Sequence, residues 1–313
     1  MELETLKKEL LGSYEIRKTD KQKTAFIKWI CDYACRNGIT VTVEESGKHI
    51  RSRNIIFGDV DKARAIMTAH YDTCARMLLP NFSTPGCMPL FVLEQLLLTL
   101  LIGLGGWLAA HFGYELASLA AHPVLAVLFS ALTGMAGAML VLALMLAGPA
   151  NPHTANDNTS GVLLVLLAML RLREKPGVAF VLFDNEEKGL FGAQAFIKAH
   201  PQAARRFLLN FDCVGDGDTL LYTGMKGGMR MPQAKRLLGA MERIASEYGM
   251  KTVSGDFPKW IYPSDQMLFP RGTALAALKG KKILYMDRIH TAKDTMLEER
   301  NIRCLLQVLE ESI

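Results

Sequence analysis

The sequence predicts an α/β protein: a three-layer α/β/α sandwich with a mixed, largely parallel central sheet, interrupted by an apolar helical hairpin. Three observations carry this expectation. Short apolar runs of β type alternate with segments of helical periodicity, the pattern of a sheet covered by helices on both faces. Polar, metal-capable residues fall where the apolar runs end, the edge at which open α/β sheets bind ligands. Charge also disappears from one continuous stretch: between Arg76 and Arg171 only Glu94, Glu115 and Asp157 are charged across 94 residues, where an average chain would place roughly twenty.

In chain order, residues 20–37 predict an amphipathic helix, with Phe26, Ile27, Ile30 and Ala34 on one face and Gly38 past its end. Residues 39–43, 54–57 and 63–69 are short β-type runs punctuated by Gly47 and Gly58. After the charge-poor stretch come a helix at about 160–173, an apolar strand at 177–183 and a helix at about 189–200. Strands at 207–211 and 219–223 precede a long helix at about 233–248. A β pair at 274–278 and 283–286 follows, and a closing helix is expected to start at the capping box Thr295-x-x-Glu298.

With 313 residues the chain can bury a sizeable core. Its 36 basic and 31 acidic residues give a net charge of +5, too balanced for a nucleic-acid footprint, so no nucleic-acid partner is expected. Six cysteines form no CxxC pair and no regular framework, which predicts buried free thiols in a reducing compartment. The N-terminus alternates charge without an apolar run, so no secretory signal is expected and the cytoplasm is the default compartment.

The domain reading is one discontinuous unit, residues 1–84 and 151–313, carrying an insert at 85–150. Within the insert, 89–110 and 123–147 are apolar runs of 22 and 25 residues. Each is long enough, at about 1.5 Å per residue, to cross a hydrocarbon core of about 30 Å. A transmembrane hairpin is therefore expected, touching lipid across residues 88–148. Ala126, Ser130, Gly134 and Ala138 repeat every four residues, a small-residue stripe that Gly103, Gly106 and Ala110 can face. The connection at 111–122 holds no Lys or Arg, which puts the flanking domain on the cytoplasmic side. Glu94 and Gln95 interrupt the first run and would need the interface, a protein partner or water. The competing reading is a pair of core helices or an apolar arm joining two copies, so a homo-oligomer stays open.

Five stations carry candidate chemistry: His70-Tyr71-Asp72, Asn156-Asp157-Asn158, Asp184-Asn185-Glu186-Glu187, Asp212 and His290. Singly, each has a structural explanation: a core histidine, a helix cap, first-turn carboxylates or a turn residue. Together, two histidines and three carboxylates at the ends of separate elements match the mixed ligation of a two-zinc hydrolase in which one carboxylate bridges the metals. Adjacent Glu186 and Glu187 would repel unless a cation sat nearby. Asp212 is preferred over Asp216 and Asp218 because it ends a strand, while the other two flank Gly217 as a turn. Met225, Met229 and Met231 read as packing, and His49, His111, His122, His153 and His200 match no station.

The order and wording of these motifs resemble the M28 family of zinc aminopeptidases. Its H-x-D is similar to His70-Tyr-Asp72, its D-N-x-S-G to Asp157-Asn-Thr-Ser-Gly161, and its E-E-x-G-L-x-G to Glu186-Glu-Lys-Gly-Leu-Phe-Gly192. Its strand-end Asp resembles Asp212, and its late His resembles His290 with Thr291 and Asp294 behind. The Ser264-Asp265-Gln266 run resembles a substrate-side segment but departs from the expected Ser-Asp-His. Carried over by position, the resemblance implies two Zn2+ bridged by Asp157, with His70 and Asp212 completing one site and Glu187 and His290 the other. It implies Glu186 as the general base on a metal-bridging water, and a peptide with a free N-terminus as substrate, its α-amine on one metal. Asp72 is expected to orient the His70 imidazole through its carboxylate. Asp294 reads equally as a support behind His290 or as a helix-start residue. Residues 255–271 are expected to line the pocket, with Trp260, Tyr262 and Phe269 as an apolar or aromatic wall. A glutaminyl-cyclase-like aminoacyltransferase with one zinc, and a catalytically inactive membrane receptor or scaffold of the same fold, are the competing functions. The M20 type of exopeptidase fits less well, because no lid domain fits between Glu187 and His290.

Overall fold

The computed structural model describes residues 2–48, 50–77, 81–120 and 122–313. In chain order the elements are α1 (Glu2–Ser13), α2 (Asp20–Arg36), β1 (Val41–Ser46), β2 (Ser52–Phe57), β3 (Ala65–His70), α3 (Met88–Ser118), α4 (Pro123–Ala147) and α5 (Gly161–Leu172). They continue with β4 (Val178–Phe183), α6 (Phe191–Ala199), β5 (Phe207–Phe211), β6 (Thr219–Gly224), the single turn α7 (Lys226–Met229), α8 (Pro232–Glu247), β7 (Lys251–Asp256), β8 (Gly272–Leu278) and α9 (Glu299–Ser312).

The strands form one mixed, mostly parallel sheet in the order β1-β2-β4-β3-β5-β8-β6-β7. β3 is parallel to both β4 and β5, and β5 to β8. Their side chains alternate between two apolar layers: Met67, Leu182 and Leu209 join a core with α1, α2, α5, α8 and α9, while Ile66, Val181 and Leu208 meet Ala193 and Phe196 of α6. Burial on both faces is why these strands read as unbroken apolar runs. The parallel strands β3 and β4 end at His70 and Phe183 in register, so the polar stations that follow them emerge side by side.

Several boundaries differ from expectation. α1 was not anticipated; its buried face is only Leu3, Leu6 and Leu10 among charged neighbours. β7 was missed because it is a half-exposed edge strand with the polar sequence KTVSGD. Residues 283–286 form no strand and make only isolated bridges, Lys279 with Tyr285 and Ser83 with Met286. The capping box at Thr295 does not form. The Glu298 N–H, which the box would give to Thr295, donates to the Gly215 carbonyl at 2.8 Å, and Glu298 is itself the N-cap of α9, without a side-chain cap bond.

The apolar insert is a helical hairpin between β3 and α5. α3 continues eight residues beyond its expected end, so the connection shortens to 119–122. Both helices are long and apolar enough to cross a membrane, and almost none of either span is buried in the protein. Leu100, Phe112 and Leu119 are 66, 70 and 82% exposed, so a pair of ordinary core helices is not what the chain builds. The small-residue stripe lets the helices touch: a Cβ on Gly106 would lie 3.1 Å from the Gly134 carbonyl oxygen, and Ser130 Oγ donates to the Ala110 carbonyl at 2.9 Å. Gly103 instead faces open space.

Candidate metal centre

The residue sequence at each strand end dictates a tight, polar turn. After β4, Gly192 must pack against the strand end, since a Cβ there would fall 2.2 Å from the Asp184 carbonyl oxygen. That close approach folds the Glu186-Glu187 turn back over the sheet. Before α5, Ala155–Ser160 forms a kinked π turn. The Asn158 side chain donates to the Phe211 carbonyl at 2.9 Å and accepts from the Gly161 N–H at 3.0 Å, tying the turn to the end of β5. Gly161 is required at that junction, where a Cβ would lie 2.4 Å from the Phe211 oxygen. Asn185, Leu190, Cys213 and His290 all adopt positive φ, so the backbone departs from its ordinary regions around this cluster.

The five predicted donors converge. His70 Nε2 is 3.3 Å from Asp157 Oδ1 and 3.8 Å from Asp212 Oδ1. His290 Nε2 is 2.9 Å from Asp157 Oδ2 and 3.4 Å from Glu187 Oε2. The two oxygens of Asp157 thus face different partners, His70 with Asp212 on one side and His290 with Glu187 on the other. Ligand atoms of His70, Glu186 and Glu187 also lie within 4.8 Å of one another. Asp216 instead pairs with Lys279 at 2.8 Å, and Asp218 is exposed in the turn before β6.

Asp72 supports the cluster differently from expectation. The His70 Nδ1 interaction, at 3.1 Å, is with the Asp72 backbone carbonyl, whereas the carboxylate stands 3.6 Å away. That carboxylate accepts the Glu186 and Glu187 N–H groups at 3.0 and 3.3 Å and so fixes the glutamate turn. Asp294 is not a helix-start residue, nor does it touch His290. Its carboxylate accepts the N–H groups of Asn156 and Asp157 at 2.8 and 3.0 Å.

The electrostatics are those of a cation site. Burial pulls the His70 imidazole down, but Glu186, Asp157, Asp212 and Asp72 outweigh it and hold the ring well above the ordinary histidine range. His290 is pushed up to about 10, against burial, by Glu187 and Asp157. Burial, with Asp157 close by, pushes Glu187 up to about 8, and burial together with the field of Asp72 and Asp212 does the same to Asp265. Glu187 Oε1 and both Asp265 carboxylate oxygens are buried without a hydrogen-bond partner. Unpartnered buried carboxylate oxygens and a mixed imidazole and carboxylate donor set fit divalent zinc.

Three neighbours were not singled out as site residues from the sequence. Cys74 brings its sulfur within 4.8 Å of ligand atoms of Asp157, Glu187 and His290. Asp265 faces the cluster from the segment read as substrate-side. Arg17, fully buried, donates to the Tyr71 carbonyl and, at 3.1 Å, to Thr159 Oγ1, clamping the end of β3 to the π turn. Burial lowers its pKa to about 10 despite the pull of Asp72. No local sequence signal marks Arg17, which lies in the loop between α1 and α2. Among the other histidines, His49 lies outside the described residues, while His153 contacts Glu15 and His200 contacts Glu44 and Asp61, all away from the centre. All six cysteines are free, with Cys74, Cys213 and Cys304 buried and Cys35 exposed.

The sequence profile described as Peptidase family M28 matches residues 141–304, more than half of the chain, and the chain belongs to that family. Among solved structures it is similar to the LapA aminopeptidase of Legionella pneumophila, at 13% identity over 100% of this chain and 69% of that one, with a TM-score of 0.56. A leucine aminopeptidase precursor from Bacteroides thetaiotaomicron VPI-5482 is 15% identical over 99% of this chain and 93% of that one, with a TM-score of 0.59. A glutaminyl cyclase of Bacteroides thetaiotaomicron, bound to N-acetylhistamine, is 15% identical over 100% of this chain and 96% of that one, again at 0.59. These likenesses establish the fold. Among curated protein sequences none matches the chain.

Proposed function

We propose that the protein is a two-zinc aminopeptidase that removes N-terminal residues from peptides. The observation that carries this reading is the division of Asp157: one carboxylate oxygen faces His70, which Asp212 also approaches, and the other faces His290, which Glu187 also approaches. Those five residues would hold the metals, which when bound supply Lewis-acid polarisation of the scissile carbonyl and a water acidified to near-neutral pKa. Glu186 is the general base. It lies beside His70 and Glu187, and burial and its acidic neighbours push its carboxyl well above the usual range, which suits a group that takes up a proton and passes it to the leaving amine. Asp72 and Asp294 hold the glutamate turn and the Asp157 turn by their backbone N–H groups. The exposed apolar hairpin supports a membrane anchor with the peptidase domain, residues 1–84 and 151–313, on the cytoplasmic side.

The test is metal analysis of the purified full-length protein together with product analysis on aminoacyl amides and on peptides with N-terminal glutamine. Two zinc ions per chain and release of free amino acids support the reading. One zinc and a cyclised glutamine product would favour the glutaminyl-cyclase alternative. No turnover of either kind would favour an inactive receptor.

A further inference from the structure

The donor cluster opens into a cavity of about 310 Å3, and part of its wall belongs to the hairpin. Glu94, Gln95 and Leu98 from the first turns of α3 and Met145 and Leu146 from the last turn of α4 line the same space as His70, Glu187 and His290. Of the segment expected to form the wall, Tyr262 and Pro263 line the cavity and Trp260 and Phe269 do not. The hairpin root is joined to the site loops through the backbone. Met77 donates to the His290 carbonyl at 2.9 Å, Ser83 and Met286 exchange hydrogen bonds at 2.9 and 2.8 Å, and Ile261 donates to the Pro85 carbonyl at 2.9 Å.

Glu94 is the one charged residue in the apolar run 89–110. One carboxylate oxygen accepts the Phe82 N–H at 3.3 Å, and among the described residues no lysine or arginine pairs with it. Half-exposed on the cavity wall beside Leu98, Met145 and Leu146, the Glu94 carboxylate is open to a cation that enters the cavity. A flexible apolar stem ending in a cation is the group whose shape and charge match such a wall, and lysine and arginine side chains have that form.

We propose that Glu94, with Leu98, Met145 and Leu146, forms the side-chain subsite for a basic first residue, so that the preferred substrates are peptides beginning with lysine or arginine. This rests on the aminopeptidase reading. The stem lies along the leucine and methionine side chains, and the head group meets the Glu94 carboxylate and the Gln95 amide. A charge-assisted contact of this kind discriminates the charged side chain from its uncharged isostere by about 10- to 100-fold.

The experiment compares lysinamide with norleucinamide, both as substrates and as ligands in calorimetric titrations of the zinc-loaded full-length protein in detergent. Lysinamide is expected to bind about 10- to 100-fold more tightly, and Glu94→Gln to erase that ratio. Leu98→Trp, which fills the stem path, is expected to weaken lysinamide without affecting glycinamide to the same degree. Equal binding of the two ligands by the unsubstituted protein, binding of neither, or an unchanged ratio in Glu94→Gln would overturn the proposal. If the ligands bind with the expected ratio but none is hydrolysed, the subsite stands and the peptidase reading falls.

Discussion

Asp294 holds Asp157 by the main chain: its two carboxylate oxygens accept the N–H groups of Asn156 at 2.8 Å and Asp157 at 3.0 Å. A residue four positions after His290 therefore positions the carboxylate that stands between the two donor pairs. Asp294→Asn presents one amide N–H against a backbone N–H and loses one of these bonds. Metal affinity is expected to fall by about 10- to 100-fold, the usual scale for loss of a group supporting ligands. Zinc retained after dialysis, with circular dichroism to confirm the fold, measures it.

Glu186→Gln separates binding from chemistry. The substitution keeps size and removes the base, so zinc content is expected to stay at the unsubstituted level while turnover drops by at least about a hundredfold. Glu187→Gln is expected to do the reverse in part, weakening one metal site. Full activity in Glu186→Gln would mean that another group moves the proton.

The metal-free chain should lose stability as pH rises. Glu187, Asp265 and Asp294 are each raised to about 8, chiefly by burial, so between about pH 4 and 8 the folded state holds protons that the unfolded state has released. His290, raised to about 10, contributes stability that is complete below the ordinary histidine value near 6.5 and is lost as pH rises through 10. Both act in the same direction. Asp157, held low by the imidazoles, acts oppositely only at more acid pH. Chelated protein is thus expected to unfold more easily at pH 8 than at pH 5.5, and zinc is expected to raise the midpoint most at pH 8; thermal scans with and without chelator decide it.

Fractionation tests the anchor. The full-length chain is expected in the membrane pellet, resistant to salt and carbonate and released by detergent. Recovery in the soluble fraction without detergent would refute the anchor and leave the zinc chemistry standing.

The sheet was legible because it rests on local rules, whereas the five clustered side chains were read from polar stations at element ends and from motifs that resemble those of the M28 family. Doubly covered strands are apolar throughout, and tight turns at their ends demand particular residues, as with Gly161 against the Phe211 carbonyl and Gly192 against Asp184. What escaped depends on neighbours distant in sequence. β7 is a polar strand at the sheet edge, paired with β6. Arg17 is buried because its donors meet Tyr71 and Thr159, far along the chain. Asp72 has the right sequence position to brace His70, yet its carboxylate accepts the N–H groups of Glu186 and Glu187, residues more than a hundred positions away that only the fold brings beside it. Glu94 reads as a flaw in an apolar helix until the cavity beside it is seen.

The hydrogen bonds between the hairpin root and the loop carrying His290 make the hairpin a lever. α3 is 31 residues long, a rod of about 46 Å at about 1.5 Å per residue, and Met77 and Ser83 at its foot are bonded to His290 and Met286. His70 and Asp212, on β3 and at the end of β5, stand on the rigid sheet. A tilt of the rod would therefore reach His290 through these backbone bonds, while the donors at the strand ends are held by the sheet. With the hairpin in a bilayer, the thickness and lateral tension of the lipid would become mechanical inputs to the position of His290 relative to the donors carried by the sheet.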